Sequence, residues 1–212
     1  MATVENVQAE QQFVLYGVPW QTYLELRESP ENEHVRMTYQ RGELRMMSPS
    51  KTHEQYASLI ARLIEAWTEE MNVDIQSCRT VTFKREDLQR GLEPDNCYYV
   101  ANELLVRSKT DLDLVVDPPP DLAIEIDLTG DMLDKLAIYA AFRVPEVWRF
   151  DGRNLSIFGL GADGRYQQRT SSLSFPNLPP AEIEGVLDKL GTASETALVR
   201  SFREWVRTVN HL

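Results

Sequence analysis

Cysteine is nearly absent: Cys78 and Cys97 are the only two in 212 residues. That excludes a multi-disulfide scaffold and any cysteine-rich zinc site, and it predicts two reduced, buried thiols. No apolar run approaches the roughly 18 residues that a membrane span needs. The opening MATVENVQAE has neither the basic start nor the apolar stretch of a secretory signal. A cytoplasmic protein with no membrane partner is expected. With 10 glycines and 11 prolines, no fibrous repeat or low-complexity tract is present. Basic residues are also scarce, 22 Lys+Arg against 33 Asp+Glu, for a formal net charge of −11. Affinity for nucleic acid rests on Lys and Arg neutralising phosphates, so the total charge argues against tight DNA binding without metal.

What remains has the make-up of an ordinary globular chain, with 42% hydrophobic and 26% charged residues, enough to build a core without staples. One domain over residues 1–212 is expected, with 1–16 frayed and 160–212 adding a C-terminal strand and helices of unread role.

Acid is concentrated in one segment. Between Glu93 and Asp134 eleven carboxylates face only Arg107 and Lys109. Crowded carboxylates raise one another's pKa unless cations, hydrogen bonds or solvent intervene, so this segment is either solvated loop or holds a metal ion. The balance reverses between residues 36 and 51, where Arg36, Arg41, Arg45 and Lys51 face only Glu43. Arg79, Lys84, Arg85 and Arg90 follow later, and a polyanion can approach these sides.

Pro19 opens a short helix carrying Trp20, Tyr23, Leu24 and Leu26. Residues 34–39 and 43–47 alternate about the turn Gln40-Arg41-Gly42, which predicts a β-hairpin. Ser48-Pro49-Ser50 caps a long amphipathic helix over about 53–71, whose Tyr56, Ile60, Leu63, Ile64 and Trp67 recur every three or four residues. Short strands follow near 73–77 and 80–84, with another at 97–100 entered through Pro94-Asp95. Residues 101–120 form a polar connection ending in three prolines. Residues 122–128 are a nearly continuous apolar run, a buried strand broken only by Glu125 and Asp127. Their spacing puts both carboxylates on one face, where burial without a partner is costly. A helix follows, with Leu133, Leu136, Ala137 and Ala140 as its core stripe and Lys135, Tyr139 and Phe142 on the neighbouring one. Residues 145–150 and 155–158 flank Asp151-Gly152-Arg153-Asn154 as a hairpin. A strand near 165–169 and helices at about 181–190 and 194–209 complete an α/β or α+β chain built around one mixed sheet.

Three features can carry chemistry: Glu93-Pro94-Asp95 at the head of a strand, Glu125 with Asp127, and Lys135. Hard oxygen ligands on rigid strands suit Mg²⁺ or Mn²⁺, which take one or two protein carboxylates and keep positions for water and phosphate. A nearby lysine can hold or deprotonate an attacking water and offset developing negative charge, as metal-assisted phosphodiester hydrolysis requires.

Several motifs occur in order over Tyr16 to Asp151: Arg41-Gly42-Glu43-Leu44, Met47-Ser48-Pro49 with His53, Glu93-Pro94-Asp95 with Tyr98, Pro119-Pro120-Asp121-Leu122 with Glu125, Lys135 with Tyr139, and Val144-Pro145-Glu146-Val147-Trp148. As a set they resemble the putative restriction endonuclease family of bacterial proteins, within the PD-(D/E)xK nuclease superfamily. The resemblance implies a restriction-endonuclease-like mixed β-sheet flanked by helices, with an N-terminal hairpin. It also implies a divalent metal (Mg²⁺ or Mn²⁺) held by Asp95 and Glu125, DNA as substrate, and a homodimer. Two residues beyond Glu125, where the superfamily usually has lysine, stands Asp127; the resemblance places that lysine on the next helix, at Lys135. Glu43 is implied at the edge of the site as a further ligand or water-orienting carboxylate.

Each residue also has a plainer role. Asp95 can simply begin a strand, Lys135 can be a solvated lysine paired with Asp131, and Asp127 can be a third ligand or a helix cap. His53 can cap its helix, and Tyr98, Tyr139 and Trp148 can be core. Beside a Mg²⁺-dependent endonuclease stand two alternatives: a catalytically degenerate metal- or DNA-binding dimeric scaffold, and a metal-free hydrolase using paired carboxylates on sugars. No sugar-binding aromatics are recognisable for the last.

Overall fold

A computed structural model describes residues 11–79, 81–130 and 132–210, and the side chains of these except Met132, Leu133, Asp134 and Asn210. It contains two sheets. The first strand, β1 (Gln11–Leu15), is followed by α1 (Trp20–Glu28), and then by β2 (Arg36–Gln40) and β3 (Glu43–Ser48), the predicted hairpin. Gln40 pairs with Glu43, so the turn is the two residues Arg41 and Gly42. Both have positive φ, 48° and 92°, the type I′ geometry that matches strand twist and favours glycine at its second position. α2 (Lys51–Met71) begins as predicted at Ser50, whose hydroxyl accepts from the His53 N–H at 3.1 Å. Three short strands follow, β4 (Gln76–Ser77), β5 (Phe83–Arg85) and β6 (Arg90–Leu92), then β7 (Asn96–Tyr99) and the single-turn α3 (Glu103–Val106). The chain continues through β8 (Leu122–Ile126), α4 (Met132–Phe142), β9 (Glu146–Phe150), β10 (Leu155–Leu160), β11 (Tyr166–Arg169), α5 (Pro180–Leu187) and α6 (Glu195–Asn210).

The six-stranded sheet, ordered β11-β10-β9-β8-β7-β4, is the mixed core: β8 and β9 run parallel and the other pairs antiparallel. Alternate residues of β8 enter different cores. Leu122, Ile124 and Ile126 pack under α2, α5 and α6, whereas Ala123 joins Ile138, Tyr139 and Phe142 of α4 on the opposite face. Both faces are covered, which is why β8 reads as an almost unbroken apolar run. By its position in the strand, Glu125 shares the α4 face with Ala123.

Four expectations need correction. Where one mixed sheet is expected, the described residues form two, and the hairpin stands apart from the core sheet. It belongs to a second, antiparallel sheet ordered β1-β3-β2-β6-β5, because α1 fills one face of it, Trp20 and Tyr23 packing on Met37, Tyr39 and Leu44. Of the stretch expected to fray, residues 1–10 lie outside the described residues, and Gln11–Leu15 pair with β3 along their whole length. The inward stripe of α4 is Ile138, Tyr139 and Phe142, while Ala137 is exposed: the larger side chains bury more apolar area than alanines and set the helix rotation. Asp131 and the Leu133 side chain lie outside the described residues, as does Thr80. Finally, the strand expected to reach residue 128 stops at Ile126. The C-terminal region serves packing: Phe202 and Val206 of α6 and Ile183 and Leu187 of α5 close the core over α2.

The crowded acids resolve into separate stations. Six of them (Glu93, Asp95, Glu103, Asp121, Glu125 and Asp127) are buried, and each has its own partners. Glu93 takes Arg27 and Thr82, Glu103 takes Arg107, and Asp121 accepts from the Val100 and Asn102 amides. A buried carboxylate is tolerable when hydrogen-bonded in this way.

Candidate active site

The site forms where β7 and β8 begin and end. Their register pairs Asn96 with Ile124, so one step further Asp95 stands across from Glu125. Asp95 Oδ2 accepts from the Ile126 amide at 2.8 Å, and Oδ1 lies 2.9 Å from His53 Nε2 on the first turn of α2. Burial alone would raise the Asp95 carboxyl. The hydrogen bond and charge of His53, the charge of Lys135 and the Ile126 amide outweigh it, and hold the group below its ordinary value. An ionised Asp95 only accepts, so His53 Nε2 carries the shared hydrogen.

Glu125 is 1% exposed, and both its oxygens are engaged from α4. Lys135 Nζ donates to Oε2 at 2.6 Å, and the Tyr139 hydroxyl donates to Oε1. The spacing of four between Lys135 and Tyr139 places them one above the other on the helix, so one face delivers both. Burial and the Asp95 charge push the Glu125 carboxyl up; Lys135 and Tyr139 draw it only part of the way back. Lys135, despite the desolvation that opposes its charge, is held above its ordinary value by Glu125, Asp95 and Asp127, and so remains an ammonium.

Glu125, Ile126, Asp127, Thr129 and Lys135 line one wall of a cavity of about 50 Å³. The other wall is the polar face of the five-stranded sheet: Gln12, Arg36, Thr38, Arg45 and Met47. Of the residues singled out in the sequence, Asp95, Glu125 and Lys135 come together. Asp127 reaches the cavity, but its Oδ2 accepts from Arg149 Nε at 2.7 Å and its Oδ1 from the Gly130 amide at 2.8 Å. It ends the strand by capping the turn that leads into α4. Glu43 stands outside the cavity lining and accepts from Arg45 Nε at 2.6 Å. Sequence reasoning passed over Tyr139 and His53 as core and cap, and it did not find Arg149. The i, i+4 stripe was the available signal for Tyr139; His53 lies 42 residues from Asp95, and no local pattern connects them.

Among the described residues, no group of three or more His, Cys, Asp or Glu side chains converges as a metal site. The donor set present is two facing carboxylates, Asp95 and Glu125, of which Glu125 lines the cavity. That fits Mg²⁺ or Mn²⁺, hard ions that bind through one or two carboxylates and keep several waters. It does not fit zinc, which asks for four nitrogen, sulfur or carboxylate ligands.

A mixed sheet covered by helices on both faces places the chain among the α/β proteins of nuclease-like fold. A crystal structure of a putative nuclease belonging to DUF820 from Anabaena variabilis ATCC 29413 has a similar fold. The TM-score is 0.56 and the identity 13%, over 80% of this chain and 99% of that one. At that identity the likeness speaks for the fold. A model of the Uma2 family, described as putative restriction endonuclease, matches residues 20–187, and the chain belongs to that family. Among curated proteins none matches. No helix among the described residues is long and apolar enough to cross a membrane.

Proposed function

We propose that the protein is a divalent-metal-dependent endonuclease hydrolysing phosphodiester bonds in DNA. The observation that carries this reading is the buried Glu125 carboxylate, faced by Asp95 across the sheet and held by Lys135 and Tyr139 from one helix. Asp95 and Glu125 would hold Mg²⁺ or Mn²⁺, with Asp127 as the adjoining carboxylate. Bound there, the ion supplies Lewis-acid polarisation of a phosphoryl oxygen and a more acidic water. Lys135, an ammonium in contact with Glu125, orients the attacking water and offsets charge that accumulates on the phosphoryl oxygens. It replaces the strand lysine whose usual position Asp127 occupies. Tyr139 and His53 act through the carboxylates: each fixes one acid's orientation, so that little reorganisation is needed as the reaction proceeds. Two copies of the chain, one for each strand, would complete a double-strand cut.

The test is incubation of wild type and Glu125→Gln with supercoiled plasmid at low salt, in Mg²⁺, Mn²⁺ or EDTA. Nicking that needs the metal and falls at least about 100-fold in Glu125→Gln is expected, a loss typical of removing one stabilising group from an active site. Cutting that survives EDTA overturns metal dependence. Mn²⁺ binding by calorimetry without any cutting favours the degenerate scaffold instead.

A further inference from the structure

Two members of the basic run between residues 36 and 51, Arg36 and Arg45, line the cavity. On β2 and β3, Thr38 pairs with Arg45 and Arg36 with Met47, so both arginines stand on the same polar face of the five-stranded sheet. The opposite face, with Met37, Tyr39 and Leu44, is closed by α1. Gln12 joins the polar face through its pairing with Met47. The hairpin therefore presents two guanidinium groups to the wall that carries Glu125 and Lys135.

Among the described residues, the cations Arg36, Arg45 and Lys135 line this cavity together with the carboxylates Glu125 and Asp127, in a chain whose net charge is −11. Such a lining suits an anion, or a cation together with an anion. Arg45 is steadied by Glu43 through its Nε at 2.6 Å, and Arg36 is in looser contact with the exposed Glu54 at 3.7 Å. Beside the apolar Met47 and Ile126, the uncharged polar side chains of the lining, Gln12, Thr38 and Thr129, each have a hydrogen-bond donor, which an oxyanion with many lone pairs can use. A space of about 50 Å³ takes a few water-sized groups and not a nucleobase.

We propose that Arg36 and Arg45 are a phosphate-binding wall: they hold a backbone phosphate of the DNA against the Glu125–Lys135 centre, with Glu43 as the positioning residue for Arg45. The proposal rests on the nuclease reading and adds to it the contact with the polyanion. A contact to phosphate carries no base information, so this wall fixes the register of the backbone without selecting a sequence.

The experiment measures anisotropy of a labelled short duplex with Ca²⁺ in place of Mg²⁺, over a range of NaCl, alongside plasmid nicking in Mg²⁺. Arg36→Ala and Arg45→Ala are each expected to weaken binding about tenfold and to lower the slope of log affinity against log salt by about 0.9, the value for one lost phosphate contact. KM for nicking rises, and kcat stays within a few-fold of wild type. Arg36→Lys and Arg45→Lys keep the slope, which guards against misfolding of the alanine variants. Arg79→Ala, an exposed arginine paired with Glu65, changes nothing. Glu43→Ala weakens binding although it removes an acid, opposite to the sign that charge alone predicts; tighter binding would show that Glu43 does not position Arg45. Wild-type slope and KM in both alanine variants overturn the phosphate wall and leave the nuclease reading intact. A wild type that neither binds nor cuts removes both.

Discussion

Lys135 Nζ lies 2.6 Å from Glu125 Oε2, although ten residues and a strand-to-helix turn separate the two in the chain. In the superfamily pattern the lysine follows the acid by two positions on the same strand. Here α4 crosses the face of β8 that bears Glu125 and returns an ammonium to the same carboxylate. If that ammonium serves the reaction, Lys135→Gln lowers kcat by about 10²–10³ with the fold retained. Single-turnover plasmid nicking beside circular dichroism reads this. Cutting at the wild-type rate would remove Lys135 from the mechanism.

The same geometry explains why the lysine cannot simply move back. Asp127 Oδ2 is bound to Arg149 Nε at 2.7 Å, and Oδ1 caps the Gly130 amide at 2.8 Å. Asp127→Lys would set a cation against Arg149 and leave that amide without its acceptor. A loss of about 1–3 kcal/mol is expected on urea unfolding, the lower end reflecting the partial exposure of Arg149. The double variant Asp127→Lys/Lys135→Ala should not regain cutting. Wild-type stability would mean that the Asp127–Arg149 pair contributes nothing.

The parts legible in the sequence are those fixed by local rules. Arg41-Gly42 satisfies the turn geometry, the α2 stripe has helical period, and the aliphatic run of β8 makes a charged interloper such as Glu125 conspicuous. What was hidden depends on contacts between distant segments. The second sheet needs β6, only three residues long and centred on Gly91, and β1, whose outward side chains are exposed; neither carries a distinctive pattern. The acidic segment by itself offers only a choice between loop and metal, because protein partners of its buried acids lie elsewhere in the chain, Arg27 for Glu93, His53 for Asp95 and Arg149 for Asp127. Pairing at such distances cannot be read from composition.

Glu146 shows the same effect away from the site. It is fully buried, and its Oε1 accepts from Trp148 Nε1 at 2.9 Å and the Leu173 amide at 3.0 Å, while Oε2 accepts from the Ser172 hydroxyl and the Ser174 amide. One carboxylate thus ties the strand β9 to residues 172–174. Glu146→Gln replaces one acceptor oxygen with a donor that faces other donors. It should cost about 2–4 kcal/mol in chemical denaturation and speed hydrogen exchange at Leu173 and Ser174. Unchanged exchange at those two amides would refute the tie.

Glu70 joins α2 to α6, accepting from Arg203 Nη1 at 3.0 Å and from Arg207 Nε and Nη2, both at 2.9 Å. The hydrogen bonds from Arg207 and then Arg203 draw its carboxyl down to about 2 from an ordinary 4.5. A carboxyl whose pKa is lower in the folded than in the unfolded chain stabilises the fold above the unfolded value, and that contribution fades as pH falls towards the folded one. Stability from this contact is therefore complete above about pH 4.5 and is lost between there and about pH 2. The group is at the surface, so salt should weaken the effect. Carbon-detected NMR titration of the Glu70 carboxyl is expected to give a midpoint near 2, and Glu70→Gln to flatten the acid limb of the stability curve over that window. A midpoint at 4.5 would show that the two arginines do not hold Glu70 in solution, and that α6 is kept on α2 by Phe202, Val206 and their apolar neighbours alone.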